Sequence, residues 1–218
     1  MKNKISDSAK VYTPFTLKLY DWWVLGISNH FAWQCDTTKH LLPHYLENVR
    51  HRHLDIGVGT GFYLPNIPDE YIISLMDLNT VSLHAAERRV GQKRVKKSIQ
   101  HDVFDPFPHE LHNHFDSVSM FYLLHCLPGT MEEKNQVIKN AAASLTSEGI
   151  LFGATILGKD VEHNAFGRKL MSIYNSKGIF SNRNDSEKCL HEMLSTHFRN
   201  VNVKKVGVVA LFSAENKK

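Results

Sequence analysis

The residues best suited to chemistry lie in one short run, His53-Leu54-Asp55-Ile56-Gly57-Val58-Gly59-Thr60-Gly61. An apolar segment ends in a carboxylate, and three glycines on alternate positions follow it. Alternate glycines permit a turn with positive φ, and because they lack Cβ atoms a flat or charged ligand can lie against the backbone. Leu54 and Ile56 predict a buried parallel strand, and the residues after Gly61 predict a helix whose N-terminus favours polar or anionic groups. The run therefore predicts a site for a nucleotide-like cofactor.

The spacing of the glycines distinguishes two kinds of cofactor. In the dinucleotide fingerprint G-x-G-x-x-G the third glycine comes one residue later, where this chain has Phe62. Asp55, inside the strand end, has no place in that fingerprint either. The form apolar-apolar-Asp-x-Gly-x-Gly-x-Gly resembles motif I of the class I methyltransferases that use S-adenosylmethionine. NAD binding and a plain strand–turn–helix are the alternatives.

Later segments resemble further motifs of that family, in the expected order. The run 71–79 predicts a second buried strand ending in Asp77, 22 residues after Asp55, where one βαβ step puts a ribose-binding carboxylate. The run 98–103 resembles the third strand and the loop whose Asp meets adenine. The run 115–127 resembles motif IV, in which a Leu-His pair follows the fourth strand. With a helix–Gly–strand block over 141–154, the resemblance spans about residues 50 to 156.

The resemblance implies a set of cofactor-binding residues. The glycine backbone would hold the methionyl end, Asp55 would order that loop and the ammonium group, and Asp77 would accept hydrogen bonds from the ribose hydroxyls. Leu78 and Val103 would enclose the adenine, with Asp102 on its amino group. The full predicted set is Asp55, Gly57, Gly59, Gly61, Asp77, Leu78, Asp102, Val103, Met120 and Phe121. For each aspartate, a role as an N-cap or turn residue is the alternative.

The acceptor side has fewer signals. His125 matches the family's Leu-His position and is a candidate general base, with a histidine packed at a helix start as the alternative. Tyr20 is a second candidate catalytic residue. Aromatic side chains able to line an acceptor pocket, or to form core instead, are Tyr12, Trp22, Trp23, Trp33, Tyr122, Phe166 and Tyr174. The segment 20–29 looks like a subgroup of small methyltransferases from microbial natural-product pathways, which implies a small, mostly apolar acceptor.

The order of elements predicts an α/β fold. Strands and helices alternate from 52 to 156, which favours a Rossmann-like, doubly wound sheet, and the apolar runs 201–206 and 208–212 suit a closing hairpin. The family fold implies seven strands, mostly parallel, with the last one antiparallel. We expect one methyltransferase domain over 1–218: an aromatic-rich helical lid over 1–49, a cofactor-binding core over 50–156, a substrate-side insertion over 157–184, and a closing helix and hairpin over 185–218.

Composition limits the remaining function classes. The chain has 218 residues, a net charge of +4 and three widely spaced cysteines, which favours a reduced, cytoplasmic protein without a zinc site. The basic run Arg88 to Lys97 predicts a solvated helix end and turn, so no nucleic acid is expected as a partner. No membrane span is predicted. An RNA or protein methyltransferase and a cofactor-binding protein without transfer activity, such as a regulatory subunit or a cyclase, stay as alternatives. Monomer and homodimer are both open.

Overall fold

A computed structural model describes the backbone of residues 21–218 and the side chains of residues 23–218. Two π-type helical segments, Asp21–Ala32 and Thr37–Leu41, begin the described chain. Five α-helices follow in chain order: α1 Leu42–Asn48, α2 Thr80–Val90, α3 Met131–Ser144, α4 Ala165–Ser176 and α5 Glu187–His197. The seven strands are β1 Arg52–Ile56, β2 Ile72–Asp77, β3 Val95–Gln100, β4 Phe115–Phe121, β5 Leu145–Ile156, β6 Phe198–Val206 and β7 Val209–Lys217.

The strands form a single mixed sheet in the order β3-β2-β1-β4-β5-β7-β6. Strands β1 to β5 are parallel, and β7 is antiparallel to both β5 and β6. The predicted seven-stranded, mostly parallel fold is confirmed. The strand order changes direction between β1 and β4, and in open α/β sheets ligands bind beyond the carboxyl ends of the strands at such a point. The end of β1 is therefore the expected place for the site.

Two hydrophobic clusters cover the two faces of the sheet. One joins β5 and the strand ends to α1, α2, α4 and the N-terminal helical segments, and it includes Trp33, Tyr45, Ala86 and Phe152. The other contains Leu54 and packs the opposite face against α3 and α5. Strand residues alternate between faces. Leu54 and Ile56 therefore face α3 and α5, while His53 and Asp55 face the opposite side, where Tyr45 of α1 contacts His53.

The connection from β1 to β2 differs from the prediction. The expected α-helix after Gly61 is absent from this connection, which has only one 3-10 turn, Leu64–Asn66. Pro65 and Pro68 explain the difference, because a proline inside a helix removes a backbone donor and clashes with the preceding turn. The glycine loop consequently packs against α2 and not against a helix of its own.

The basic run after α2 also lies differently from the prediction. Lys96 and Lys97 belong to β3, Val95–Gln100, which begins three residues before the predicted strand and loop over 98–103. Strand β3 is an edge of the sheet, and charged side chains on an edge strand hinder pairing with a second chain. Among residues 21–218, no helix has both the length and the apolar character needed to cross a membrane.

The insertion between β5 and α5 is fixed to the core by a buried ion pair. The Lys134 ammonium on α3 donates to the Asp185 carboxylate at 2.7 Å and to the Ser181 carbonyl at 2.8 Å. Both charged side chains are almost fully buried. The segment before Asp185 carries Phe180, whose ring packs on His125 with a centroid separation of 4.5 Å. The ion pair thereby holds the insertion against the end of β4.

Candidate functional site

The three glycines after β1 serve different structural needs. All three have positive φ: 73° at Gly57, 52° at Gly59 and 69° at Gly61. A Cβ at Gly57 would lie 2.9 Å from the Leu123 side chain, and one at Gly61 would lie 2.9 Å from the Ala86 backbone. A Cβ at Gly59 would meet no atom within 4 Å and would project into open space. Packing thus explains two of the glycines, whereas Gly59 leaves its backbone accessible to a ligand.

Asp77, at the end of β2, bonds to the glycine loop. Its carboxylate accepts a hydrogen bond from the Asn79 N–H at 2.8 Å. It also accepts from the N–H groups of Val58, Gly59 and Leu78. Burial raises the pKa of Asp77 to about 6, although these hydrogen bonds act in the opposite direction. The carboxylate therefore lies beside the loop that exposes Gly59.

Asp55, at the end of β1, is the second buried carboxylate. Only 5% of the residue is exposed, and its carboxylate accepts a hydrogen bond from the Ser119 hydroxyl at 2.6 Å. The pKa of Asp55 is raised to about 7, chiefly by burial; the Ser119 hydrogen bond opposes the rise and the charge of Asp77 adds to it. Two acidic groups with raised pKa values thus lie at neighbouring strand ends. Such groups favour a ligand that carries positive charge or hydroxyl donors.

An open cleft of about 390 Å³ lies over these strand ends. Its lining residues are Leu25, Asp55, Gly57, Val58, Gly59, Thr60, Phe62, Tyr63, Phe121 and Tyr122. Five of these residues were predicted from the sequence, and the five not predicted are Leu25, Val58, Thr60, Phe62 and Tyr63. Four of the missed residues are contiguous with the glycine run, and that proximity was the available signal.

Tyr122 connects the cleft to the N-terminal helical segments. Its backbone has φ of 58°, a conformation that is strained for a bulky residue. Its hydroxyl donates to the Asn29 side chain at 2.8 Å, and the Asn29 amide donates to the Thr37 hydroxyl at 2.8 Å. Leu25, from the same segment, lines the cleft. Segment 21–41 is therefore part of the cleft wall as well as of the core.

Comparison with known proteins identifies the family. A family model described as "Methyltransferase domain" matches residues 54–151. The chain is 41% identical to the physcion biosynthesis cluster O-methyltransferase of Aspergillus chevalieri, over 94% of this chain and 92% of that protein. The chain belongs to the class I S-adenosylmethionine-dependent methyltransferases. Its methyl donor is accordingly S-adenosylmethionine.

Other relatives and solved structures agree with this family. The methyltransferase is 59% identical to the protein YbcY of Escherichia coli (strain K12), over 89% of this chain and all of that protein. It is 36% identical to the N-methyltransferase vrtF of Penicillium aethiopicum, over 85% and 78% of the two chains. The DhpI complex with S-adenosylhomocysteine has the same fold, with a TM-score of 0.69 at 17% identity over 99% of this chain and 98% of that one.

Six of the predicted cofactor residues of the methyltransferase lie outside the cleft lining: Gly61, Asp77, Leu78, Asp102, Val103 and Met120. Asp102 accepts a hydrogen bond from the Phe104 N–H at 3.0 Å, which is the turn role that the sequence left open. Leu78 is half-buried beside Asp77, and Val103 is buried in the core on the α3 side. Met120 is fully buried in that same cluster. The place of Met120 on β4 turns its side chain towards α3, and its predicted cofactor contact stays a prediction.

His125 occupies a buried position that does not suit a general base. It is 2% exposed, and its Nδ1 accepts a hydrogen bond from the Ile156 N–H at 3.2 Å. Burial lowers the pKa of His125 to about 3, and the charge of Lys134 lowers it further. The ring packs between Tyr122 and Phe180. The structure therefore favours the packing alternative over the predicted base, since an imidazole with so low a pKa accepts a proton poorly at neutral pH.

The predicted catalytic Tyr20 and acceptor-pocket aromatics divide into four groups. Tyr12, Tyr20 and the side chain of Trp22 lie outside the described residues. Trp33 is 1% exposed and packs against His163 and Phe180, so it is a core residue here and not a wall of the cleft. Trp23 donates from its indole N–H to the Tyr174 hydroxyl at 3.0 Å and contacts Phe166 edge to face. Among those of these aromatic residues whose side chains the structure describes, Tyr122 alone lines the cleft itself.

Proposed function

We propose that the cleft at the end of β1 binds S-adenosylmethionine, with its methionyl end on the glycine loop. The supporting observation is Gly59, where a Cβ would meet no atom within 4 Å and whose N–H group bonds to Asp77 in the loop that follows Asp55. Asp55 would pair with the ammonium group, because a buried carboxylate gains most from a cation that replaces lost hydration. Asp77 would accept hydrogen bonds from the ribose hydroxyls. To do so, Asp77 would give up some of the hydrogen bonds that it now accepts from backbone N–H groups.

The adenine end of the proposed site rests on fewer contacts. Leu78 follows Asp77 directly, and the 101–105 turn lies beside it because the His101 N–H donates to the Asp77 carbonyl at 3.1 Å. This proximity supports adenine binding by Leu78 and Asp102. Asp102 would then have to give up its Phe104 hydrogen bond or share it.

We also propose that the methyl acceptor is a small, planar and mostly apolar molecule. The cleft wall beyond the glycine loop is formed by Leu25, Phe62, Tyr63, Phe121 and Tyr122. Aromatic walls bind flat ligands through offset stacking and edge contacts. Two relatives carry the names O-methyltransferase and N-methyltransferase, which supports oxygen or nitrogen as the methylated atom. The aromatic pairs around Trp23 and Tyr174 would form the outer part of the lid.

The chemistry of the side chains suits positioning more than proton removal. The cofactor supplies a methyl group that is already activated as a sulfonium. Among the described cleft-lining residues the titratable side chains are Asp55, Tyr63 and Tyr122. Asp55 is assigned to the cofactor, and a phenol is a weak base at neutral pH. The site therefore favours an acceptor that needs no proton removed by the protein, either because it enters ionised or because its neutral form is nucleophilic. The protein would hold this acceptor in line with the methyl group and exclude water.

We propose a cytoplasmic location and a single domain with the boundaries given above. The free cysteines Cys35, Cys126 and Cys189 support a reducing compartment. Lys96 and Lys97, placed on an edge strand, support a role in preventing sheet pairing over a role in nucleic-acid binding. Protection of a sheet edge does not require a nucleic acid partner.

Incubation of the purified protein with methyl-labelled cofactor and a fractionated metabolite extract tests this proposal. We expect label in the small-molecule fraction, and much less with Asp77→Ala, which removes the ribose acceptor. Label in RNA or protein would support the second function class instead. Cofactor that binds without being consumed in any fraction would support a regulatory or scaffold role.

A further inference from the structure

A buried polar relay connects the beginning of β1 to Asp55. The strand register pairs His53 with Ser117 and Asp55 with Ser119. Because side chains two residues apart share a face of a strand, all four face the same side of the sheet. Tyr45 of α1 covers that face. His53, Ser117, Ser119 and Tyr45 are all fully buried.

The distances join these groups into one chain of hydrogen bonds. The Arg50 backbone N–H donates to the Ser117 hydroxyl oxygen at 2.9 Å, and that oxygen lies 2.9 Å from His53 Nδ1. His53 Nε2 lies 3.2 Å from the Ser119 hydroxyl oxygen and 2.9 Å from the Tyr45 hydroxyl. The Ser119 hydroxyl donates to Asp55 at 2.6 Å.

The two ends of the chain are compatible with one common direction of its hydrogen bonds. A backbone N–H can only donate, and an ionised carboxylate can only accept. Protons can then point the same way at every step, with Ser117 donating to His53 Nδ1 and the His53 Nε2–H pointing to Ser119. This assignment requires a neutral imidazole, and burial lowers the pKa of His53 to about 3. Hydrogen bonds aligned in this way polarise one another and stabilise the charge at the accepting end.

We propose that Ser119, with His53 behind it, is a positioning residue that keeps Asp55 ionised and oriented for the cofactor's ammonium group. The inference rests on the proposed function, because it assigns a purpose to Asp55 as a cofactor ligand. Burial and the charge of Asp77 both oppose ionisation of Asp55. The titratable groups around Asp55 are His53 on β1, Asp77 at the end of β2, Tyr45 on α1 and Tyr63 beyond the glycine loop, and none of them is a cation at neutral pH. The Ser119 hydroxyl is therefore the principal group favouring the charged form.

A titration of the Asp55 carboxyl by ¹³C NMR in the ligand-free protein tests the proposal, with Asp55→Asn identifying its signal. Ser119→Ala should raise the titration midpoint by about one to two pH units, the shift that corresponds to a lost hydrogen bond to a charged group. Ser117→Ala is the matched control, because it touches His53 but leaves the Asp55 hydrogen bond intact, and it should shift the midpoint much less. Equal shifts in both variants, or none in Ser119→Ala, would overturn the proposal.

Binding measured between pH 5.5 and 8.5 gives a second readout. We expect S-adenosylhomocysteine to bind Ser119→Ala about tenfold more weakly than wild type at pH 7, with recovery towards pH 8.5. 5′-Methylthioadenosine lacks the ammonium group and should show little difference between the two proteins. Ser119→Thr, which keeps the hydroxyl, should restore binding, and Ser119→Cys replaces the alanine variant if that one does not fold.

The outcomes separate the two proposals. A loss of affinity that is the same at every pH would give Ser119 a structural role only and would overturn this inference alone. Failure of the wild-type protein to bind S-adenosylhomocysteine at any pH would overturn the proposed function instead.

Discussion

Replacement of Asp55 by asparagine should stabilise the ligand-free protein and weaken cofactor binding. Burial raises the pKa of Asp55 from 3.8 to about 7, a change of about three units. At about 1.4 kcal/mol per unit, ionised Asp55 opposes folding by up to about 4 kcal/mol. Asn keeps the shape and the oxygen that accepts from Ser119, but it carries no charge. Allowing for relaxation around the charge, we expect a gain of about 2 kcal/mol, which for a chain of this size raises Tm by about 4–8 °C.

The sign of this effect depends on pH. The folded-state pKa of Asp55 is raised, so between about pH 4 and pH 7 the folded protein holds a proton that the unfolded chain releases. Stability therefore falls as the pH rises through this window. The advantage of Asp55→Asn should be full at pH 8 and close to zero at pH 4.

Calorimetric unfolding at both pH values, with and without S-adenosylhomocysteine, measures the prediction. Asp116→Asn is a suitable control, because hydrogen bonding to Arg52 lowers the pKa of Asp116 and its replacement should not stabilise the protein. The ligand should raise the Tm of wild type more than that of Asp55→Asn. If Asp55→Asn were less stable than wild type at pH 8, the assignment of Asp55 as a destabilising buried charge would be refuted.

Further predictions concern the glycine loop, the buried ion pair and the packed histidine. Gly59→Ala should cost about 1 kcal/mol of stability, because of its positive φ, and should abolish most S-adenosylhomocysteine binding. Gly61→Ala should destabilise the protein more, because its Cβ would meet the α2 backbone. Unfolding and binding titrations on the same samples separate the loss of stability from the loss of binding. Lys134→Met should lower stability by about 3–5 kcal/mol by leaving Asp185 buried without its partner, and adding Asp185→Leu should recover much of it in denaturant unfolding. His125→Ala should lower Tm and leave the shape of the pH–rate profile between pH 6 and 8 unchanged; loss of an ionisation from that profile would restore the histidine as a base.

The sequence predicted the sheet and the strand-end loop because both depend on local patterns. Apolar runs that end in Asp55 and Asp77, separated by one crossover, are sufficient to place both carboxylates at the same edge of a parallel sheet. The missing helix after Gly61 was predictable in principle. Pro65 and Pro68 are present in the sequence, and their effect on the backbone argues against the helix that the glycine run suggests.

Other features depend on contacts between distant parts of the chain. The relay to Asp55 needs the register that brings Ser119 opposite it, and no pattern within either strand specifies that register. The burial of His125 depends on Phe180, which the insertion carries back over the end of β4. A histidine in a motif position can therefore be a base or a packed ring, and only the tertiary contacts distinguish the two.

The central claim is that the glycine loop and the two buried carboxylates form the cofactor site. A crystal structure of the complex with S-adenosylhomocysteine tests it most directly. The account predicts density with the methionyl group against Gly59, its ammonium group at Asp55 and the ribose hydroxyls at Asp77. Density in another part of the molecule, with the Gly59 backbone still facing solvent, would contradict it.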